Sequence, residues 1–234
     1  MSFPRQETFP EAHSPSREVR ISADGKILEG TLTLPDGASG VVLFAHGSGS
    51  SRHSPRNRLV AQAIVDAGIC TLLFDLLSPD EDQARFDIEL LASRLEQATL
   101  WLKHRPEVRA LPVGYFGAST GAAAALVAAA RLGEAVHAVV SRGGRPDLAG
   151  PYLPKVMAPT LLIVGSLDPQ VISLNEHAYA QLRCNKAFQI VPGATHRFEE
   201  AGTLERVAEL AVEWFRQFLV EDPERALRSD EDDT

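Results

Sequence analysis

Gly114-Tyr115-Phe116-Gly117-Ala118-Ser119-Thr120-Gly121 reads as an apolar strand that turns sharply into an Ala-rich helix, with Ser119 at the turn. Glycines on both sides of the serine let strand and helix approach with no side chain between them. A serine hydroxyl becomes a useful nucleophile only when a base sits beside it and the backbone pushes its oxygen outward. The same residue is also a favoured helix N-cap. A five-residue G-x-S-x-G pattern arises by chance in roughly one chain in ten of this length. The rest of the chain has to decide.

Working outward, Arg17 to Ser22 alternates polar and apolar, with Val19 and Ile21 on one face. Asp24-Gly25 marks a turn and Ile27 to Leu34 resumes the alternation, which predicts an antiparallel hairpin. Val41 to Ala45 is a continuous apolar run, as in a strand covered on both faces. Ile69 to Phe74, Leu111 to Phe116, Val136 to Val140, Thr160 to Val164 and Ala187 to Val191 read as further strands. Helical spacing falls between them: Asn57 to Ala67, Ile88 to Leu102, Ser119 to Leu132, Leu174 to Leu182 and Leu204 to Leu219. This alternation predicts one α/β domain over residues 17–220, an eight-stranded, mostly parallel sheet with helices on both faces. About a dozen and a half residues separate the sixth and seventh strands, too few for a large cap domain, so an open, shallow site is expected.

In an open parallel sheet, ligands gather beyond the carboxyl ends of the strands. The loops there carry His46-Gly47-Ser48-Gly49 after the third strand, Ser119 after the fifth, Gly165-Ser166-Leu167-Asp168 after the seventh, and Pro192-Gly193-Ala194-Thr195-His196 after the eighth. A nucleophile, a carboxylate and a histidine thus share one edge in the order Ser, Asp, His. That order belongs to the α/β-hydrolase fold and differs from other serine-hydrolase folds.

From about Arg17 to Leu219 the chain resembles the dienelactone-hydrolase-like α/β-hydrolases. The resemblance is carried by Ala45 to Ser54, Phe74-Asp75, the Ser119 turn, Val164 to Pro169 and Val191 to His196. It implies Ser119, Asp168 and His196 as a catalytic triad. It also implies an oxyanion hole from the backbone N–H groups of Thr120 and a residue of the His-Gly-Ser loop, Ser48 or Gly49, with Ser48 preferred. Ser119 stands where dienelactone hydrolases proper carry a cysteine, so the resemblance implies an ester hydrolase rather than that narrow substrate. No cofactor and no metal are implied. Thioester, lactone or acyl-transfer chemistry with the same triad, and a non-catalytic binding protein of this fold, are the alternatives. A nucleotide-binding reading of Gly47-Ser48-Gly49 fails because Arg52 replaces the third glycine of G-x-G-x-x-G and no GK[ST] occurs.

Each residue also has a plainer reading. Asp168 before Pro169 is a common turn former. Asp147 is a rival acid, though placed further along its loop. His46 is expected to brace its loop, and Asp75 to anchor one. Cys70 and Cys184 have no metal-like spacing and read as packing thiols. Arg52, Arg56, Arg142 and Arg145 are solvated loop residues by default. The sharper reading makes Arg142 or Arg145 the receptor of a substrate carboxylate or phosphate, with Arg142 the substrate-binding candidate.

The formal net charge of −8 argues against nucleic acid as a partner. Neither a signal peptide nor a long apolar span is legible, so a cytoplasmic protein off the membrane is expected, acting on a small-molecule ester; a homodimer stays open. Residues 1–16 read as a flexible lead-in and 221–234 as a disordered acidic tail.

Overall fold

The structure is a computed structural model and describes residues 15–220. The expectations for the acidic tail, and for all but the end of the N-terminal segment, lie outside those residues. One eight-stranded sheet runs through the molecule. Its strands are β1 (Ser16–Ala23), β2 (Lys26–Thr33), β3 (Val41–Ala45), β4 (Cys70–Phe74), β5 (Val113–Ala118), β6 (Ala138–Arg142), β7 (Thr160–Gly165) and β8 (Lys186–Val191). Their spatial order is β1-β2-β4-β3-β5-β6-β7-β8. The hairpin β1–β2 joins antiparallel, and β2 meets β4 antiparallel; every pairing from β4 across to β8 is parallel. Strands β3 to β7 are buried along their full length, as continuous apolar runs require.

The helices are α1 (Pro55–Asp66), α2 (Ile88–Lys103), α3 (Thr120–Leu132), α4 (Pro169–Gln181) and α5 (Thr203–Leu219). Val60 and Ile64 of α1 share one core with Val207, Ala211 and Phe215 of α5, against one face of the sheet. Leu91, Leu95 and Ala98 of α2, Ala124 to Ala129 of α3 and Ala178 of α4 form the core on the other face. Between β6 and β7 the chain makes only 3-10 turns (Pro146–Lys155). Among the described residues, the sheet edge therefore carries no cap domain.

Element boundaries differ from the sequence reading in several places, β6 among them, which runs Ala138–Arg142 rather than Val136 to Val140. Helix α4 begins at Pro169 rather than Leu174, directly after Asp168. Proline is well suited to the first helical position, where its missing N–H would have no partner. Helix α1 likewise begins at Pro55, capped by the Ser54 hydroxyl. Strand β5 runs two residues later than its apolar pattern suggests, from Val113 to Ala118. Small residues at Gly117 and Ala118 hide a strand end that is buried because α3 packs on it.

Candidate active site

Ser119 sits at the junction of β5 and α3 with φ 51° and ψ −121°. A non-glycine residue held in such a region costs on the order of 1–3 kcal/mol and persists only where its surroundings enforce it. Here they do. A Cβ on Gly121 would lie 2.1 Å from the Ala45 carbonyl oxygen, and one on Gly117 would lie 2.4 Å from Ala122 Cα. The elbow glycines are thus demanded by close approach of β3, β5 and α3. The amide of Ser119 donates to the Arg142 carbonyl oxygen at 3.3 Å, which ties the elbow to the end of β6.

Two residues stand at helix N-cap positions without capping. The Ser119 side chain makes no cap hydrogen bond to α3, and Asp168 makes none to α4. Each forgoes about 1 kcal/mol that a Ser or Asp cap ordinarily provides. Asp168 Oδ2 instead accepts from His196 Nδ1 at 2.8 Å. The Ser119 cap reading fails on this geometry, and Asp168 closes a turn with its backbone, its N–H donating to the Gly165 carbonyl at 3.1 Å, while its carboxylate holds His196. Ser119 and His196 line one cavity of about 320 Å³ together with Gly47 to Ser50, Arg56, Arg142, Gly143 and Arg197. His196 is 44% exposed at its side chain and Asp168 15%, so the carboxylate is sheltered behind the ring. Among the described residues, no hydrogen bond closes between Ser119 Oγ and His196; such a link is often long before substrate binds.

The loops that carry Asp168 and His196 are zipped together. Ser166 and Leu167 donate their amides to Val191 and Ala194 at 3.0 and 2.9 Å, and Gly193 N–H donates to Ser166 Oγ at 2.8 Å. Only a glycine fits at 165, since a Cβ there would lie 2.3 Å from the Ala194 carbonyl. Gly143, with φ +50°, allows the loop after β6 to approach the carbonyl of His196.

The N–H of Ser48 faces Thr120, but it donates to the Thr120 hydroxyl at 2.9 Å. A second anchor holds that loop from the other side. His46 Nε2 accepts from the Leu76 amide at 3.1 Å, which leaves Nδ1 protonated against the Gly47 carbonyl, also at 3.1 Å. Burial lowers the pKa of His46 and favours the neutral ring. His46 braces the loop, as expected.

Arg52 corrects the solvated-loop expectation. It is 8% exposed and fans onto Glu18, Glu29 and Asp75. Its own amide donates to Asp75 Oδ1 at 2.8 Å. Asp75 is therefore an anchor that pins the loop after β3 to the end of β4 and, through Arg52, to the β1–β2 hairpin. Arg145 does not reach the cavity; its guanidinium pairs bidentately with Asp147, both bonds at 2.8 Å. That pairing removes the rival acid and the rival arginine together. Cys70 and Cys184 are free thiols. Cys70 is buried, and desolvation pushes its pKa up to about 12; Cys184 is half-buried.

Arg142 lines the cavity at 8% exposure. Arg197, which directly follows His196, escaped the sequence reading although its position beside the histidine was visible. On the far side of the Gly47–Ser50 loop lies a second cavity of about 410 Å³, with Leu77, Pro79 and Leu91 among its lining residues and Asp75, Asp82 and Arg85 as its charged ones.

Fold and sheet-edge geometry define an α/β-hydrolase. The family model described as "Dienelactone hydrolase family" matches residues 28–219, and the chain belongs to that family. A crystal structure of a dienelactone hydrolase from Anabaena variabilis is 56% identical with a TM-score of 0.86, covering 88% of this chain and 99% of that one. Est1E from Butyrivibrio proteoclasticus shares the fold at 17% identity and a TM-score of 0.74, covering 86% of this chain and 98% of its own. A Mycobacterium tuberculosis protein named "Putative phosphoribosyl transferase" is 59% identical over 205 residues, which is 86% of this chain and 46% of that protein. The chain thus spans about half the length of these mycobacterial relatives. Among the described residues, no helix is long and apolar enough to cross a membrane.

Proposed function

We propose that the protein is a serine hydrolase that cleaves small or soluble carboxylic esters through an acyl-enzyme intermediate. The observation that carries this reading is Asp168 leaving α4 uncapped to hold His196 Nδ1, with the ring in the same cavity as the strained Ser119. In the reaction, Ser119 Oγ attacks the acyl carbonyl while His196 Nε2 takes its proton. Asp168 keeps the ring in the tautomer with hydrogen on Nδ1 and stabilises the imidazolium. The oxyanion is held by the Thr120 amide, at the positive end of α3, and by the Ser48 amide once it turns from the Thr120 hydroxyl. The imidazolium protonates the leaving alkoxide. Water, deprotonated by His196, then releases the acid and restores Ser119.

Arg142 is the proposed substrate-binding residue, directed at an anionic group of the ester. The neighbouring cavity, with Leu77, Pro79 and Leu91, suits an apolar substituent. The transferase name of the mycobacterial relatives belongs to proteins about twice as long as the matched region, and phosphoribosyl transfer is no part of the reaction proposed for this site.

Labelling with a fluorophosphonate probe tests the reading. Wild type is expected to react and Ser119→Ala to remain unlabelled, with hydrolysis of p-nitrophenyl esters lost in parallel. Equal labelling of the two proteins would defeat it.

A further inference from the structure

Three guanidinium groups, those of Arg56, Arg142 and Arg197, line the cavity of Ser119 and His196. They reach it from unrelated places: the first turn of α1, the end of β6, and the loop that carries His196. Arg56 and Arg197 share one carboxylate, that of Glu199, each at 3.0 Å. Arg142 has no such partner among the described residues. Its hydrogen bond is a 3.5 Å contact to Asn57 Oδ1, its Nε is buried without a partner, and Phe198 lies 5.9 Å from its guanidinium carbon.

The remaining nearby carboxylates are committed elsewhere. Asp168 is bound to His196, Asp147 to Arg145, and Glu200 to the amide and hydroxyl of Thr195. The three guanidinium groups therefore contact a single carboxylate among them, that of Glu199, and Arg142 contacts none. Desolvation, with the Arg56 charge behind it, holds the pKa of Arg142 down to about 10. The group is still charged at neutral pH. A buried cation with no counter-ion is unfavourable, and an anion brought by a ligand would relieve it.

We propose that Arg56, Arg142 and Arg197 form a subsite for a dianionic phosphate monoester group carried by the substrate. A carboxylate supplies one negative charge and a planar pair of oxygens, enough for one guanidinium fork. A phosphate monoester supplies close to two charges at neutral pH and three terminal oxygens, enough to accept from three guanidinium groups that have one carboxylate contact among them. The inference rests on the ester-hydrolase reading for the rest of the substrate, but capture of the anion does not depend on catalysis.

The test is calorimetric titration of Ser119→Ala protein, which keeps the arginines and cannot turn over. Inorganic phosphate, methyl phosphate and acetate are the three probes. Phosphate and methyl phosphate should bind at least tenfold more tightly than acetate. Adding Arg142→Met should weaken both by tenfold or more. If that variant fails to fold, Arg197→Gln, on an exposed side chain, should still weaken them severalfold. Acetate binding as tightly as phosphate would overturn the proposal. So would free phosphate binding without methyl phosphate, or phosphate affinity indifferent to both arginine substitutions. Absence of Ser119-dependent labelling together with arginine-dependent methyl phosphate binding would sink the esterase reading and leave the anion subsite standing.

Discussion

The backbone N–H of Ser48 donates to the hydroxyl of Thr120 at 2.9 Å. The two residues whose amides are proposed to share an oxyanion are thus already joined through a side chain. This contact holds the loop after β3 close to the elbow, and it also competes with the oxyanion for one donor. A neutral hydrogen bond of this kind contributes about 1 kcal/mol, less than one made to a charged acceptor.

Thr120→Val removes the competitor and keeps the volume. Because His46 and Asp75 hold the loop independently, kcat is expected to rise by up to about fivefold, with KM little changed. A fall of tenfold or more would show that the hydroxyl is needed to hold the loop. Steady-state kinetics on a p-nitrophenyl ester decides between the two.

Asp168→Asn should leave the fold intact and reduce kcat by about ten-thousandfold, because an amide in place of the carboxylate stabilises the wrong tautomer of His196. The carboxylate makes no cap bond to α4, so little helix stability should be lost. A thermal melt on the same preparation, unchanged within a few degrees, separates this outcome from unfolding.

The elbow glycines make a sharp steric prediction. Gly121→Ala places a methyl 2.1 Å from the Ala45 carbonyl oxygen and should destabilise the protein by about 3 kcal/mol or more. Gly25→Ala meets nothing within 4 Å and bears only the strain of φ +74°, about 1–2 kcal/mol. Urea midpoints of the two variants measure the difference. Equal losses would mean that the close packing of β3 against α3 relaxes easily.

Acid stability should depend on His46. Burial lowers its folded pKa below the ordinary value of 6.5, so the unfolded chain binds its proton first. The neutral ring's contribution is complete above pH 6.5 and is lost as pH falls toward the folded value, where protonation would also break the Leu76 N–H bond to Nε2. Glu18 and Glu81, lowered by hydrogen bonding and by the charges of Arg52 and Arg94, and Glu200, lowered by its hydrogen bonds with Thr195, act in a separate window below 4.5. Urea midpoints at pH 7.5 and 5.5 should therefore drop for wild type and drop less for His46→Gln. An identical drop in both would place the sensitivity elsewhere.

The alternation of strand and helix was largely legible because strands β3 to β7 are buried on both faces and their apolar runs are uninterrupted, whereas the order of the strands in the sheet came only from the structure. Boundaries slipped where small or cyclic residues end an element: Gly117 and Ala118 extend β5, and Pro169 opens α4 five residues before its apolar pattern starts. Ser119, Asp168 and His196 were legible as candidates because each lies a short step beyond a strand on one edge. The behaviour of the arginines was not. Arg52, Arg56, Arg142 and Arg145 look alike in a sequence, yet one clamps a hairpin, one shares Glu199, one is buried without a counter-ion and one is tied to Asp147.

By itself the sequence determined the alternation of strand and helix, the turn at Ser119 and the order of the three candidate residues, since each depends on periodicity or on chemistry within a few neighbours. Only the tertiary structure decided that Asp168 turns from its own helix to His196, that Ser48 is held by Thr120, and which guanidinium is left without a partner. Those outcomes depend on distances between residues far apart in the chain, and on how many carboxylates the fold brings within reach of each charge.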